Sequence, residues 1–519
     1  MRCQSSRGGK AGPATAILVA TFAACGLATS GRVAAHAGHD VNALGTVYFP
    51  VSCSAAAQKD FDRGLALLHH MTYPHARTSF MQAAATDPRC AMAHWGVAMT
   101  LFQPLWPTRP GLQERQRGWD ALQTARSLSP PTEREQSYIT TAEAFFANPE
   151  SPDYWLRIRR WEQASQAQHR AFPEDVDAAA FYALAHLAVV PPDVISRDNA
   201  DEAAAILLGV YQQNREHPGA MHYLVHANDV PGREKELLEI TRKYETAAPR
   251  NPHALHMPTH IYTRLGDWDG VIRGNLLAAD AALEHPAGVH GEFVWDEFPH
   301  AIEYLVYAYL QKGDYESAHA QLQRLTGTPR LEPTFKTAFH LASTRARFAL
   351  ERQNWPEAAA MPVREPATLD WSLYPWPEAI SVFARGLGAA RLGRLTDARV
   401  AGEQLMVLET NARQSGEELF ARNIRVLRLE VESWIAQQGG NPAAAIELMQ
   451  SAADLETATP KHAVTPAPML PAYELLGDLQ LMQGRPDKAL EAYRQSLALY
   501  PNRAYSKRGA ERALQATRP

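Results

Sequence analysis

The apolar residues of this chain recur with the spacing of amphipathic helices almost everywhere after Ala55. They form runs of roughly 10 to 16 residues, each bounded by the Gly, Pro, Asn and Asp residues that end helices and make turns. No stretch alternates convincingly with the two-residue period of a half-buried strand. The sequence therefore predicts an all-α fold of short helices joined by turns.

Two segments indicate how neighbouring helices pair. Between Asp60 and Pro88, small residues stand where two antiparallel helices would approach closely, namely Gly64, Ala76 and Ala83. The clearest unit lies near the C-terminus and consists of Tyr473, Leu476, Gly477, Ala489, Tyr493, Ser496 and Pro501. This order of large, small and proline positions resembles the tetratricopeptide repeat, a helix-turn-helix of about 34 residues.

The resemblance extends unevenly over most of the chain. Further marks of the turn and second helix are Gly266, Trp268 and Val271; Gly313, Tyr315 and Ala318; Trp355 and Ala358; and Gly386, Gly393 and Ala398. The regions 102–135 and 140–215 have a helical pattern without the full signature. The resemblance implies an α-solenoid of roughly ten or eleven hairpins, stacked into a right-handed superhelix.

The predicted organisation has five parts. They are a signal peptide (1–35), an N-terminal extension (36–57), N-terminal hairpins (58–215), central His-rich repeats (216–361) and C-terminal repeats (362–519). The blocks Cys90–Gly96 and His253–Trp268 also resemble exported bacterial proteins of this repeat class with no settled activity. That second resemblance implies architecture and location but no chemistry.

The N-terminus has the pattern of an export signal. A basic head, which contains Arg2, precedes an apolar run from about Ala14 to Leu27, and small residues end at Ala35. The run is too short for a stable membrane span, so we expect a periplasmic or secreted protein with no transmembrane segment in the mature chain. Phe22 to Cys25 weakly resembles a lipoprotein processing site, and a lipid anchor on Cys25 is the alternative.

The mature chain retains two cysteines, Cys53 and Cys90. In an oxidising compartment an even pair most simply forms a disulfide. This bond would join the segment before the first helix to the loop after the first hairpin. Two free buried thiols are the alternative.

Composition excludes one class of partner. Apolar residues make up 46% and charged residues 21% of the chain, the net charge is −5, and no long basic block occurs. These values are typical of a soluble protein with a core, and nucleic acid is not expected as a partner.

Histidine is concentrated in one stretch, from His217 to His300, which holds nine of the 20 histidines. They are His217, His222, His226, His253, His256, His260, His285, His290 and His300. Two pairs have members four residues apart, which places both rings on one helix face. Equivalent members of the two pairs, such as His222 and His256, are separated by the length of one repeat.

The resemblance assigns these residues to ligand-facing positions. In the repeat family, contacts come from the second, fifth and ninth positions of the first helix of each hairpin. In four successive repeats these positions hold Gly219, His222 and His226; His253, His256 and His260; His300, Glu303 and Tyr307; and His340, Ser343 and Arg347. We therefore expect one polar strip across four repeats.

Such a strip favours a transition metal, since imidazole is a common ligand for zinc, copper and iron. The predicted ligands are His222, His226, His256 and His260 as a four-nitrogen site, with His253, His300 or Glu303 as substitutes or as ligands of a second ion. The neighbouring Met221 and Met257 point to other helix faces and are predicted core residues.

Three functions remain open. The first is metal binding in a His-rich groove. The second is a metal-dependent hydrolase or oxidoreductase, with Glu303 as acid/base and with Tyr307 and Arg347 orienting a substrate. The third is a metal-free scaffold whose groove holds a peptide, protein or small molecule. The segments Asp454–Lys461 and Arg503–Arg512 are predicted to be solvated surface.

Overall fold

The computed structural model describes residues 43–106, 109–288 and 290–517. The predicted signal peptide and Cys25 lie outside these residues. The first half of the described chain contains α1 (Ala55–His69), α2 (Tyr73–Thr86), α3 (Ala91–Met99), α4 (Leu112–Ser127), α5 (Glu133–Phe146), α6 (Tyr154–Ala171), α7 (Val176–Ala188), α8 (Arg197–Gln213), α9 (Pro218–Asn228), α10 (Leu238–Ala247), α11 (Pro252–His256), α12 (Pro258–Leu265) and α13 (Trp268–Leu283).

A short antiparallel hairpin of β1 (Pro286–Ala287) and β2 (Phe293–Val294) follows. The second half contains α14 (Glu297–Lys312), α15 (Tyr315–Gly327), α16 (Phe335–Glu351), α17 (Trp355–Ala359), a 3-10 turn (Trp371–Leu373), α18 (Pro375–Arg391), α19 (Leu395–Gln414), α20 (Glu418–Gln438), α21 (Pro442–Ala458), α22 (Ala472–Met482), α23 (Pro486–Leu499) and α24 (Ala504–Ala516). The predicted all-α repeat fold is confirmed.

Consecutive helices pack in pairs throughout the described residues. Helices α11 and α12 act together as the first helix of one hairpin, because both pack on α13. The chain stays helical at Met257, and Pro258 divides the two because proline has no N–H for the helical ladder. Eleven hairpins result within the described part, followed by α24, which agrees with the predicted number.

In the first and the last hairpin, the small residues of the signature make room for one aromatic ring. A Cβ built on Gly477 or on Gly509 would lie 2.7 or 2.4 Å from the Tyr493 ring. In the first hairpin Phe80 takes the same place, with 2.8 Å to a Cβ on Gly64. The pattern is therefore a packing requirement, since a methyl group at these glycines would displace a buried ring.

The predicted disulfide between Cys53 and Cys90 is present. It joins the segment that precedes α1 to the residue that caps α3. Cys90 is fully buried within the first hydrophobic core.

The C-terminal repeats turn back onto the central repeats and onto the N-terminal hairpins. The indole Nε1 of Trp268 donates to the carbonyl of Asn502, and Arg422 donates to Asp193. The loop between α21 and α22, residues 459–471 and here called the covering loop, reaches α9, where Lys461 lies 3.3 Å from Asp229.

These contacts correct two sequence predictions of solvated surface. Lys461 retains only 16% of its side-chain exposure, and Arg503 retains none. Arg503 lies between Glu351 of α16 and Glu474 of α22 and is hydrogen-bonded to both. The sequence pattern did not predict that these two side chains are buried, because the burial of each depends on a partner carboxylate far away in the chain.

No helix in the described ranges is long and apolar enough to cross a membrane.

Candidate metal centre

The structure brings the six histidines predicted as metal ligands together in two groups of three. In each group one ligand atom per residue lies within 4.8 Å of the others. The central triad is His256, His260 and His300, and the adjacent triad is His222, His226 and His253.

This grouping differs from the predicted four-nitrogen site. Each pair from one repeat is completed by a single histidine from the next repeat, and not by the equivalent pair. The ring centroids of His256 and His300 are 4.1 Å apart, and those of His222 and His253 are 5.0 Å apart. Successive first helices are thus offset, so that the second position of one repeat faces the fifth position of the preceding repeat.

The outer nitrogens of the first two central histidines each have an acceptor. His256 Nδ1 donates to Asn275 Oδ1 at 2.7 Å, and His260 Nδ1 donates to Asp229 Oδ2 at 3.0 Å. These protons fix the tautomers and leave Nε2 of both rings as unprotonated acceptors. The two Nε2 atoms lie 2.9 Å apart, so two lone pairs face one another.

The third central histidine is oriented through a chain of buried groups. His340 Nδ1 donates to Glu303 Oε2 at 2.6 Å, which makes His340 Nε2 an acceptor. His300 Nδ1 donates to that nitrogen at 2.8 Å. His300 Nε2 is therefore also unprotonated and carries a lone pair. The orientation of the His300 ring is fixed by the Glu303 carboxylate, which acts through His340.

This arrangement fits a metal ion better than it fits a metal-free protein. Metal-bound histidines typically donate their second N–H to a carboxylate, amide or similar acceptor, which fixes the ring and strengthens the ligand. All three central histidines have such a partner. Without a cation the facing lone pairs of His256 and His260 would repel, whereas one ion would turn both into ligands.

Burial keeps these rings in the neutral form that binds metal. It lowers the pKa of His256 and of His300 well below the ordinary value for histidine. Burial also lowers the pKa of His260, although Asp229 opposes the shift. Protons therefore compete weakly for the nitrogens at neutral pH.

The adjacent triad has fewer outer partners. His222 Nδ1 donates to the carbonyl of His69 at 2.6 Å, and His222 Nε2 lies 3.2 Å from His226 Nε2. His253 Nδ1 lies 3.3 Å from Glu297, while His253 Nε2 has no hydrogen-bond partner among the described residues. Burial lowers the pKa of His226 to about 3. This group could hold a second ion.

A third buried group, His69, Asp177 and His217, has a different character. Both rings place Nε2 on Asp177 Oδ1, at 2.9 and 3.3 Å. Their Nδ1 atoms accept from the hydroxyl of Tyr223 and from the main-chain N–H of Ala220. Every ring nitrogen in this group already has a partner, so no histidine lone pair is open to a metal ion, while Asp177 Oδ2 lacks a hydrogen-bond partner among the described residues.

Two of the residues predicted as catalytic, Glu303 and Arg347, are linked to the central triad through His340. Glu303 accepts from His340 and, at 3.1 Å, from Arg347 Nη2. Arg347 also donates to the carbonyls of Ala467 and Pro468 and thereby fixes the covering loop. Glu303 and Arg347 are fully buried, which gives them a positioning role in this geometry.

Tyr307 lies apart from the triads. Its hydroxyl accepts from Arg503 Nη1 at 3.3 Å and lines a separate, larger cavity.

A small cavity of about 60 Å³ touches both triads. Its walls include His226, His253, His260 and His300, and the covering loop closes it with His462 and Val464. Because a water molecule needs roughly 10–15 Å³ of such space, an ion with water or a small ligand would fit.

Several partners of the site escaped the sequence prediction. Asp229 and Asn275 orient His260 and His256, and the covering loop supplies a wall. Asp229 stands three residues after His226 at the end of α9, so position alone could have suggested it. Asn275 lies on α13, and no local sequence pattern distinguishes it from other polar residues of that helix.

Residues 471–503, which cover α22 and α23, match the family model of the tetratricopeptide repeat. The match identifies α22 and α23 as one repeat of this type within the array of eleven helical hairpins. Repeats of this kind bind protein partners. A search of curated proteins found no match.

Solved repeat proteins show a distant likeness. The Cut9 and Hcn1 hetero-tetramer of the APC/C is 13% identical, covers 90% of this chain and 78% of that chain, and has a TM-score of 0.37. Yeast Tom70 is 11% identical over 89% and 95%, with a TM-score of 0.34. A repeat protein from Parabacteroides merdae is 12% identical over 73% and 99%, with a TM-score of 0.28. Such low scores carry no functional argument.

Proposed function

We propose that this chain is an exported repeat protein that binds a transition-metal ion through His256, His260 and His300. The observation that carries the proposal is the pairing of all three outer nitrogens with protein acceptors, which leaves Nε2 of each ring as a lone pair in a cluster of three histidines. Three neutral nitrogens suit zinc, copper or ferrous iron.

Metal analysis tests the proposal directly. We expect about one ion per chain in untagged protein purified from the exported fraction, and loss of that ion in the double variant His256→Ala/His260→Ala. The matched control is His290→Ala/His319→Ala, which removes two histidines outside both triads. Equal metal content in the wild type and the first variant would contradict the proposal.

A metal-dependent enzyme is the second candidate. Three protein ligands leave a coordination position open, as in catalytic zinc sites, and the cavity of about 60 Å³ adjoins the triad. Spectroscopy of the cobalt-substituted protein distinguishes the candidates. A spectrum that changes on addition of azide indicates an exchangeable position, and an unchanged spectrum indicates a closed binding site.

A metal-free scaffold is the least favoured candidate. The strip that would hold a peptide is buried, and the covering loop already occupies part of it through Arg347. A partner at this strip would first have to displace the loop.

Export is supported by the disulfide between Cys53 and Cys90, since such bonds persist in oxidising compartments. The N-terminal sequence of the mature protein tests the expected cleavage after Ala35. A mature chain that begins at a lipid-modified Cys25 would establish the alternative, and an uncleaved chain in the reducing cytosol would contradict export.

A further inference from the structure

A second cavity, of about 370 Å³, shares Leu105, His226 and Ala463 with the lining of the small one, and no residue of the central triad lines it. Its volume is within the range of small-molecule pockets. One wall is formed by the segment that links α7 to α8, and the opposite wall is formed by the covering loop and the end of α23.

The polar end of this cavity is rich in donors. Arg264 uses Nε and Nη2 on Asp229, and its Nη1 has no hydrogen-bond partner in the described ranges. The Lys461 ammonium has three N–H groups and two long contacts, of 3.3 Å to Asp229 and 3.4 Å to Thr465. The hydroxyl of Tyr307 accepts from Arg503 and retains its own proton to donate.

Acceptors at the same end are already engaged. Both carboxylate oxygens of Asp229 accept hydrogen bonds, one from Arg264 and the other from His260 and Lys461. Burial raises the pKa of Glu456 to about 8, so this carboxyl is largely uncharged at neutral pH. Glu234, a further acidic residue of the lining, accepts from the main-chain N–H of Gly232. The unused N–H groups of Arg264 and Lys461 therefore favour a head group that accepts hydrogen bonds, such as a carboxylate.

The wall on the side of the segment that links α7 to α8 is apolar. It is formed by Leu187, Val190, Pro191, Pro192, Val194 and Ile195. Val194 and Ile195 remain 47% and 48% exposed, so the apolar surface continues to the mouth of the cavity. A ligand that covers this wall would remove exposed apolar area from water.

We propose that this cavity binds a small amphipathic carboxylate, with its head at Lys461 and Arg264 and its apolar chain along residues 187–195. This site goes beyond the proposed metal function and does not depend on it, because neither cation nor the apolar wall belongs to a triad.

Calorimetric titration with octanoate tests the proposal, with and without prior chelation of metal. Octanoate should bind one molecule per chain in both states. Octylamine, octanol and acetate should bind at least ten-fold more weakly, because each lacks the charge or the chain. Undetectable octanoate binding, or equal binding of octanol or octylamine, would overturn the proposal.

Two variants with matched controls locate the ligand. Lys461→Gln and Val194→Asp should each weaken octanoate binding about ten-fold or more. Lys488→Gln and Val400→Asp change the same residue types at exposed positions outside the cavity and should bind as the wild type does. Unchanged affinity in both test variants would place the ligand elsewhere and refute the site. The comparison of octanoate with octanol on the wild type decides the matter if Lys461→Gln does not fold.

Discussion

At the scale of single residues, the proposed metal centre depends on groups that would never touch the ion. Asn275 lies on α13, where its Oδ1 accepts from the outer nitrogen of His256 and its amide donates to the carbonyl of Val271. Its contribution is the tautomer and angle of one ring. Such outer partners typically change metal affinity by roughly 10- to 100-fold.

The variant Asn275→Leu isolates this effect. We expect it to weaken metal binding by about 10- to 100-fold while the fold is retained, since the side chains have similar volume. Competition with a chromophoric chelator measures the affinity, and circular dichroism checks the fold. An affinity equal to that of the wild type would show that the hydrogen bond does not support the ligand.

Glu456 gives a prediction of pH dependence. Burial raises its pKa from 4.5 to about 8, so the folded chain holds a proton that the unfolded chain releases. The contribution of Glu456 to stability is therefore complete below about pH 4.5 and is lost as the pH rises through 8.

The variant Glu456→Gln cannot titrate and should avoid this loss. We expect the difference in unfolding free energy between the variant and the wild type to move in favour of the variant by a few kcal/mol between pH 5 and pH 9. Urea unfolding at several pH values measures it. Glu447→Gln, an exposed change on the same helix, should give a pH-independent difference. A flat difference for Glu456→Gln would mean that its pKa is ordinary in the folded state.

The sequence predicted that the six histidines of the two triads lie along one strip, because they follow a repeat period that can be counted. It did not predict Asn275, or the relay from Glu303 to His300, because these contacts depend on how far neighbouring helices slide along one another. That offset is set by side-chain packing between helices and leaves no periodic trace in the sequence.

At the scale of structural elements, the disulfide joins the segment that leads into the first hairpin to the start of the second hairpin. Cys53 and Cys90 are 37 residues apart and enclose the whole α1–α2 hairpin. The bond limits the freedom of that hairpin in the unfolded chain more than in the folded one.

The double variant Cys53→Ser/Cys90→Ser should lose about 3–4 kcal/mol of stability, the value typical of a loop of this length. Thermal unfolding followed by circular dichroism measures the change. The wild type in reducing agent should show the same loss, and the double variant should not respond to reducing agent. If the reduced wild type keeps its full stability, the stability lost in the double variant is due to the serine substitutions and not to the missing disulfide.

At the scale of the whole molecule, Arg503 joins elements that are distant in the chain. It is hydrogen-bonded to Glu351 of α16, to Glu474 of α22 and to Tyr307 of α14. Each carboxylate is buried, and removal of the guanidinium would leave Glu351 with Arg347 at 4.0 Å and Glu474 with a hydrogen bond from Ser506.

Arg503→Met should therefore destabilise the protein by roughly 3–5 kcal/mol, as is typical when one partner of a buried ion pair is removed. Arg508→Met, on the exposed face of α24, the helix that Arg503 caps, should change stability by less than about 0.5 kcal/mol. Urea unfolding compares the two variants. Equal stability would show that the network around Arg503 contributes little.

Helix type, hairpin number and the disulfide followed from local sequence pattern, because each depends on residues close together in the chain. The return of the C-terminal repeats onto the central ones did not follow from local sequence pattern. It rests on single contacts such as Lys461 with Asp229, between residues whose chain neighbours look like ordinary surface.

That return has an evolutionary consequence. Repeat arrays usually gain or lose units at low cost, because each unit contacts only its neighbours. Here Asn502 meets Trp268, and the covering loop forms a wall of the cavity between histidines of earlier repeats. Duplication or deletion of any hairpin between these points would move one side of the site away from the other. Natural variants of this chain should therefore keep the number of intervening hairpins constant while loops elsewhere vary in length.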